Sequence, residues 1–249
     1  MTVVSNRPPA LIVGATSDIA RALAHRLAAD GHPLHLAGRN LDTLERDAAD
    51  LRLRHDVLVN VVSIDVTATA ALKDILSALD PAPRIIVSMV GWMGDQGLQQ
   101  SDPSQASAVI AANFAGPAAL MEAGAAMFAD VDEDTWLVGV SSVAGDRGRA
   151  RNYYYGAAKA GFTAMMSGLR QRLARTRTTV ITVKPGFVAT SATAGMDLPG
   201  PLVASPDACA TMIHRAIKKK REVVYPLVWR GVMTIIRGVP EPVFKKMKF

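Results

Sequence analysis

Short apolar, β-branched segments alternate with longer stretches of helical periodicity along nearly the whole chain, and this alternation limits the fold more than any other feature. Such alternation is typical of repeated strand–helix–strand units, whose parallel strands are buried on both faces. Right-handed crossovers between successive strands then produce a doubly wound sheet. The sequence therefore predicts an α/β Rossmann fold, with a parallel seven-stranded sheet and helices on both faces.

The predicted elements follow one another to the end of the chain. Strands are expected at residues 10–14, 34–37, 58–64, 84–88, 135–140, 179–184 and 222–225. Helices are expected at residues 18–30, 41–53, 68–79, 103–128, 153–175 and 206–219. The 249 residues are 49% apolar, which is enough to bury one large core. We predict a Rossmann-type domain at residues 1–225, with a mobile loop at 190–205, and a basic amphipathic extension at residues 226–249.

The positive charge of the chain is concentrated at one end. The whole chain carries a net charge of +6, whereas residues 218–249 alone carry +7. A neutral body with a basic end does not form a general surface for polyanions, so no nucleic-acid partner is expected. The single cysteine, Cys209, predicts a buried filler in a reducing compartment and no metal site. Residues 1–9 lack the apolar run of a secretory signal, so the expected location is cytoplasmic.

A tight turn after the first predicted strand is suited to a dinucleotide. It begins at Gly14 and enters the first helix through Thr16, Ser17, Asp18 and Ile19. Backbone N–H groups at a helix N-terminus can bind a pyrophosphate, and Gly14 has no side chain to block its approach. The alternative is an ordinary helix cap formed by Ser17 or Asp18.

Two positions at the ends of the next strands also bear on the cofactor. Arg39 follows the second strand, where an NAD-preferring domain has an acidic residue. A guanidinium there favours a 2′-phosphate, so NADP(H) is predicted over NAD(H), unless Arg39 is a solvated loop residue. Asp65 and Val66 close the third strand, and the carboxylate either accepts from the adenine amino group or caps the next helix with Thr67.

The most informative pair is Tyr155 and Lys159, which are four residues apart in a predicted helix. On one helix face the ammonium can favour the phenolate and lower a phenol pKa that is normally about 10. Tyr155 then becomes a proton donor or acceptor near neutral pH. Ser142 ends the preceding strand, at the edge of the sheet where α/β sites form, and its hydroxyl can bond a carbonyl oxygen.

Together with Asn113 in the long fourth helix and Lys184-Pro185-Gly186 after the sixth strand, these motifs resemble the short-chain dehydrogenase/reductase family over essentially the whole chain. The resemblance implies that Tyr155 is the general acid and that Lys159 binds the nicotinamide ribose and lowers the Tyr155 pKa. It implies that Ser142 orients the carbonyl and that Asn113 holds a water in a proton relay; alternatively, Asn113 bonds its own helix backbone. Further implied cofactor contacts are Gly91, Pro185, Gly186, Val188 and Thr190.

The chain departs from the family pattern in the cofactor turn and after the fourth strand. Asp18 and Ala20 stand where the family has glycines, and we expect Asp18 to cap the helix from outside. The family's Asn-Asn-Ala-Gly is Ser-Met-Val-Gly here, and only Gly91 is kept. These changes bear on cofactor affinity rather than on the chemistry.

Three arginines before the catalytic helix, Arg147, Arg149 and Arg151, are candidates to hold a substrate phosphate, or they pair with Asp146 and other acids. Tyr153 is a candidate for the substrate wall or for packing. With the cofactor turn and the basic extension, this cluster resembles the branch that contains the decaprenylphosphoryl keto-ribose reductases.

The extension is predicted to form a helix with Pro226 at its first position and Gly238 just past its end. Polar residues share one face, and Val228, Trp229, Val232, Ile235 and Ile236 share the other. A second amphipathic segment follows at residues 243–249. The apolar face is expected to contact a membrane interface, a neighbouring subunit or the substrate entrance.

We therefore predict an NAD(P)-dependent oxidoreductase that interconverts a ketone and a secondary alcohol, with a lipid-linked or phosphorylated sugar as substrate. One alternative is a reductase of soluble small ketones or 3-oxoacyl groups, and another is a non-catalytic nucleotide-binding regulatory protein. A homodimer or homotetramer is expected, together with peripheral contact at the inner face of a membrane.

Overall fold

The computed structural model describes residues 6–196 and 198–247. The strands are β1 (Ala10–Val13), β2 (Leu34–Gly38), β3 (Val59–Ser63), β4 (Ile85–Ser88), β5 (Thr135–Val140), β6 (Thr178–Val183), β7 (Phe187–Val188), β8 (Val203–Ala204) and β9 (Val223–Val224). The helices are α1 (Asp18–Ala29), α2 (Leu41–His55), α3 (Leu72–Ser77), α4 (Gln96–Ser101), α5 (Pro103–Ile110), α6 (Gly116–Met127), α7 (Tyr153–Arg172), α8 (Pro206–Lys218), α9 (Leu227–Gly238) and α10 (Glu241–Phe244).

Seven of these strands form one parallel sheet in the order β3-β2-β1-β4-β5-β6-β9. The order reverses at β1, which pairs with β2 on one side and β4 on the other. Val13 is in register with Ala37 and with Ser88, so the segments after these three strands meet at the same edge. The predicted doubly wound, seven-stranded sheet is confirmed.

The two faces of the sheet are covered by separate cores, because successive strand residues point to opposite sides. Ala10 and Ile12 of β1 belong to one core, and Leu11 and Val13 belong to the other. Helices α1, α2 and α8 supply the first core, which includes Cys209. Helices α3, α6 and α7 supply the second core. Burial raises the pKa of the Cys209 thiol to about 12, as expected for a buried filler.

The predicted helix at residues 103–128 is interrupted. A π-helical turn, Ala111–Ala115, separates α5 from α6. Within the part of the chain that the structure describes, Pro103–Met127 is the stretch long and apolar enough to cross a membrane by length and composition. Leu120 and Met121 are fully buried in the second core, so this stretch is a core helix of the domain.

The predicted loop at 190–205 is partly ordered. It contains the 3₁₀ turns Ser191–Thr193 and Gly200–Leu202, and its last residues form β8, which pairs with β7 in a separate two-stranded sheet. This pairing holds both ends of the segment close to the end of β6.

The extension folds back onto the domain, and its apolar residues divide differently from the prediction. Pro226 is the N-cap of α9 and Gly238 is its last residue. Trp229 and Met233 are buried, whereas Val228 and Ile235, predicted on the same face as Trp229, are exposed. Several sides of this helix are apolar, so the contact of Trp229 with the domain decides which side is buried. The predicted segment 243–249 ends with residues 248–249, which lie outside the described residues.

Candidate active site

Lys159 lies at the centre of the candidate site and is only 2% exposed. Its ammonium donates to the carbonyl oxygen of Val90, at 2.9 Å, and to that of Val140, at 3.1 Å. These carbonyls follow β4 and end β5, so one side chain from α7 joins the carboxyl ends of two strands. Desolvation in this position lowers the pKa of Lys159 to about 7.

Tyr155 precedes Lys159 by one helical turn, and the Lys159 ammonium lies 5.8 Å from the centre of the Tyr155 ring. Burial raises the pKa of Tyr155, and a hydrogen bond with Ser142 opposes that rise. The predicted lowering of this pKa by Lys159 is therefore not found in the structure. The ammonium is directed to two backbone carbonyls, and its own charge is disfavoured by burial.

Ser142 is positioned by a close contact between the turn that follows it and α7. Its hydroxyl accepts from the Ala144 N–H at 3.1 Å and caps the 3₁₀ turn Val143–Asp146. A Cβ on Gly145 would lie 2.7 Å from the Ala160 nitrogen, so only glycine allows this turn to reach the helix backbone. The contact brings Ser142 beside Tyr155.

Ser141 was not singled out from the sequence, yet it fixes the catalytic helix. Its buried hydroxyl donates to the Lys159 carbonyl at 2.9 Å and lies 2.7 Å from the Thr163 hydroxyl. The signal for it was a second serine at the end of a buried strand, where a hydroxyl needs a partner.

Asn113 is fully buried in the π-helical turn. Its amide nitrogen donates to Val109 O at 2.9 Å and to Trp92 O at 2.6 Å, and its amide oxygen accepts from Trp92 N at 3.1 Å. The expected alternative, a bond to its own helix backbone, is thus present. In this structure Asn113 also fixes the segment after β4 beside Lys159.

Gly91 leaves space between the side chains of Lys159 and Asn113. A Cβ there would lie 3.8 Å from Lys159 Nζ and 3.9 Å from the Asn113 amide oxygen. A larger residue would fill the approach to the ammonium, so Gly91 keeps a cradle open at the centre of the sheet edge.

The turn after β1 has the conformation expected of a dinucleotide site, for a partly different reason. Gly14 has φ +82°, and a Cβ on it would lie 3.1 Å from the Met89 carbonyl carbon. The glycine is therefore needed for contact between strand ends as well as for any phosphate. Ser17 caps α1 by accepting from Ala20 N at 3.2 Å, and Ile19 packs against the first core.

Asp18 does not cap the helix as predicted. Its carboxylate accepts from the backbone N–H of Ser191 at 2.7 Å and from the Ser191 hydroxyl at 2.9 Å. Ser17 already occupies the capping position, so Asp18 is free to hold the 3₁₀ turn after β7. This contact joins the Gly14 turn to the segment 190–205, which the sequence predicts to be a mobile loop.

The predicted adenosine side lies beyond this turn. A cleft that opens to solvent is lined by Thr16, Arg39, Asn40, Leu41 and Asp42. At its edge Asp65 accepts from the Thr67 N–H and hydroxyl at 2.9 and 2.7 Å. The Thr67 bonds lower the pKa of Asp65, and the nearby charge of Arg39 adds to them. Asp65 and Thr67 therefore form a local turn and do not cap the next helical turn, Thr69–Ala71, whose N-cap is Ala68, so the predicted cap is wrong. Val66 is buried in the second core.

The turn after β6 is fixed by contacts from three directions. Pro185 O accepts from Val143 N at 3.0 Å, which ties this turn to the segment that carries Ser142. The indole of Trp229 covers Gly186 in the space that a Cβ would need. Val188 is buried, and the Thr190 N–H donates to the Thr193 hydroxyl at 3.0 Å.

The substrate candidates differ in their surroundings. Arg147 donates to the carbonyls of Ile236 and Val239 and to Glu241, and its guanidinium lies 3.9 Å from the centre of the Phe244 ring. Its assignment to the substrate is therefore corrected: Arg147 holds the end of α9, where free carbonyls attract a cation.

The other candidates remain available to a substrate. Arg149 is half-buried, and its nearest hydrogen-bond partner is the Met233 sulfur at 3.4 Å. Arg151 is exposed. Tyr153 is 38% exposed and stacks on Tyr154, with ring centres 4.9 Å apart.

A buried polar cluster beneath the extension was not predicted. The Asp146 carboxylate bonds both the Lys184 ammonium and the Tyr225 hydroxyl. Burial and the adjacent carboxylate raise the pKa of Tyr225. The cluster joins the Ser142 turn, the end of β6 and the start of the extension. The available signal was Lys184, a charge at the end of a buried strand that requires a partner.

The Asp18 contact predicts that the loop at 190–205 is held by a charged hydrogen bond. The substitution D18A should increase hydrogen exchange at the Ser191 amide by about tenfold or more, because a hydrogen bond to a carboxylate contributes roughly 1.5–3 kcal/mol. Hydrogen–deuterium exchange with mass spectrometry measures this exchange rate, and the control is D42A, in the cleft beside Arg39. Equal protection of this segment in D18A and wild type would contradict the assignment.

The lowered pKa of Lys159 predicts a pH-dependent stability. Lys159 loses its proton near pH 7 when folded and near pH 10.5 when unfolded. The unfolded chain therefore binds more protons between these values, and stability rises with pH. We expect the free energy of unfolding to rise by about 2–3 kcal/mol from pH 7 to about 9.5 in wild type relative to K159M.

Urea denaturation at several pH values measures this difference. The exposed lysine variant K73M is the control and should keep the wild-type slope. Parallel pH profiles for wild type and K159M would show that the Lys159 ammonium is not disfavoured in the folded protein.

Comparisons with known proteins agree with this geometry. The short chain dehydrogenase family model matches residues 9–198. An uncharacterized oxidoreductase of Mycobacterium tuberculosis is 34% identical, with 96% of each chain covered. A sulfoacetaldehyde reductase of Chromohalobacter salexigens is 32% identical over 73% of each chain. Among solved structures, a short-chain dehydrogenase from Sphingobium yanoikuyae in complex with NADPH has a TM-score of 0.81 at 25% identity, with 96% of each chain covered. The chain belongs to the short-chain dehydrogenase family and is an NAD(P)-dependent oxidoreductase.

Proposed function

We propose that this oxidoreductase interconverts a ketone and a secondary alcohol at the edge formed by the ends of β4, β5 and β6. The observation that carries the proposal is the placement of the Tyr155 and Ser142 hydroxyls next to each other, one helical turn from the buried Lys159 ammonium. Two hydroxyls that converge next to a buried cation suit a carbonyl oxygen that gains electron density during reduction.

The residues around this pair fit a nicotinamide dinucleotide. Gly91 keeps a cradle open beside Lys159, which uses two of its three protons on backbone carbonyls. At the other end of the edge lie the Gly14 turn, the N-terminus of α1 and the cleft beside Arg39. When bound, the cofactor supplies the hydride. The chain's own groups then position the ketone and move the proton.

Tyr155 is the proton donor in this account. Its raised pKa keeps the phenol protonated at neutral pH, which is the form needed for reduction. Ser142 donates to the carbonyl oxygen and holds it beside the Tyr155 hydroxyl. Lys159, anchored by Val90 and Val140, places positive charge next to the phenolate that forms.

The test is NADPH oxidation with a panel of ketones, including phosphorylated and lipid-linked sugars. The substitution Y155F should lower kcat/KM by about 100-fold or more, because a positioned general acid contributes about 10²–10⁴ in rate. The control is Y154F, which removes the neighbouring phenol from the same helix. A Y155F variant that turns over every ketone at the wild-type rate would refute the assignment.

We further propose a preference for NADP(H), carried by Arg39. Its side chain lines the cleft beside Thr16, and the neighbouring carboxylate, Asp65, is already bonded to Thr67. The substitution R39A should raise the KM for NADPH by about tenfold or more and leave that for NADH nearly unchanged. The exposed R46A on α2 is the control. Equal changes for both cofactors would argue against a 2′-phosphate contact.

For the substrate, we propose a lipid-linked or phosphorylated sugar ketone met at a membrane surface. Leu227, Val228 and Ile235 of α9 are 87%, 59% and 72% exposed, and the exposed Arg230 and Arg237 flank them. An apolar stripe beside cations suits an interface with anionic lipid.

Co-sedimentation with phosphatidylglycerol vesicles tests this surface on the full chain. Replacing Leu227 and Ile235 by serine should reduce the bound fraction, and V223S, at an exposed valine of β9, is the control. Equal sedimentation of the wild type and the serine variant would remove α9 as the contact.

A further inference from the structure

The three arginines between Ser142 and Tyr155 are not equivalent once folded. Arg147 is satisfied by carbonyls and by Glu241. Arg151 is exposed to solvent. Arg149 is half-buried, and one of its guanidinium nitrogens meets the Met233 sulfur. Its Nε is enclosed and has no hydrogen-bond acceptor among the described residues.

The surroundings of Arg149 do not compensate its charge. A thioether is a weak acceptor and carries no negative charge. The Asp146 carboxylate is near enough to act on Arg149 electrostatically, but it is already bonded to Lys184 and Tyr225. A desolvated cation without a paired anion is costly, so a guanidinium in this position calls for an anion from outside the chain.

The location of Arg149 relates it to the substrate side of the site. Met233, which Arg149 contacts, packs with Val143 and Trp229 in one buried cluster. Val143 directly follows Ser142, and Trp229 covers Gly186. Arg149 is thus connected through one side chain to the turn that carries Ser142. Arg149 follows β5 and Arg39 follows β2, and β1 and β4 lie between these two strands in the sheet, so Arg149 is separated from the Arg39 cleft.

We propose that Arg149 binds an anionic group of the ketone substrate, with the chemistry of a phosphate ester. A planar guanidinium presents paired N–H donors that match two oxygens of such a group. This inference rests on the proposed ketone reduction, which it deepens by naming the residue that holds the anionic group of the substrate. Arg147 is excluded from this role by its contacts, and the exposed Arg151 lacks the enclosed, unpartnered nitrogen that supports the assignment of Arg149.

A matched pair of soluble probes tests the proposal: dihydroxyacetone phosphate and neutral dihydroxyacetone, each with NADPH. Wild type should prefer the phosphate ester in kcat/KM by about tenfold or more, as expected for a charge-assisted hydrogen bond. R149Q should lose this preference, R149K should recover part of it, and R151Q should retain it. An R149Q variant with the wild-type preference, or a wild type with none, would overturn the proposal.

A binding measurement separates this inference from the proposed reaction. With saturating NADP⁺ present to fill the proposed cofactor phosphate sites, inorganic phosphate should raise the melting temperature of wild type and R151Q at constant ionic strength, and should not raise that of R149Q. If this holds while no ketone is reduced, the anion site stands and the proposed reaction fails. If ketones are reduced while phosphate stabilises wild type and R149Q equally, the reaction stands and the Arg149 site fails.

Competition distinguishes the two sources of such an anion. Glycerol 3-phosphate represents a soluble ester, and monomeric dodecyl phosphate represents a lipid-linked one. Both should inhibit wild type more strongly than R149Q. Stronger inhibition by dodecyl phosphate would indicate a lipid source, whereas equal inhibition would indicate a soluble one.

Discussion

The buried ammonium of Lys159 is the interaction on which the arrangement of the site depends. It bonds the carbonyls of Val90 and Val140, so the segment after β4 and the end of β5 are held by one side chain. The backbone carbonyl of the same residue accepts from Ser141, which fixes α7 against β5. An ammonium in this position is costly to desolvate, and burial lowers its pKa to about 7. The fold therefore keeps a destabilising cation at the point where cofactor and substrate are expected to meet.

The extension forms a second set of contacts around the same edge. Trp229 covers Gly186 and bonds Leu202 O at 3.0 Å, while Arg147 holds the far end of α9. The Asp146 cluster joins the start of the extension to the Ser142 turn. The extension is thus packed against the turns after β5 and β6, and Leu227, Val228 and Ile235 on its outer side are left exposed. In the proposed function, the polar part of the substrate enters the site and its apolar part stays on this exposed side.

Sequence reasoning predicted the sheet and the central residues because their signals are local. Buried strands are continuous β-branched runs, and the spacing of Tyr155 and Lys159 is one helical turn. The contacts that it missed join distant parts of the chain. Asp18 bonds Ser191 across 173 positions, and Arg147 bonds Ile236 across 89. Helical periodicity also did not predict the buried side of α9, because a helix that is apolar on several sides does not indicate which side packs against the domain. The direction of the Tyr155 pKa shift was predicted wrongly for a related reason. The desolvation of Tyr155 and the bonding of the Lys159 ammonium to backbone carbonyls are properties of the folded protein, which the sequence does not show.

A reductase transfers hydride and a proton to a ketone at this edge, whereas a regulatory protein would only bind the nucleotide there. The most direct measurement uses NADPH deuterated at C4 on the transferred face, with mass spectrometry of the product. We predict that the alcohol gains a single deuterium at the carbinol carbon with wild type, and that Y155F forms little labelled alcohol. Binding of NADPH without labelled alcohol from any ketone of the panel would contradict the account and favour a nucleotide-binding protein without turnover.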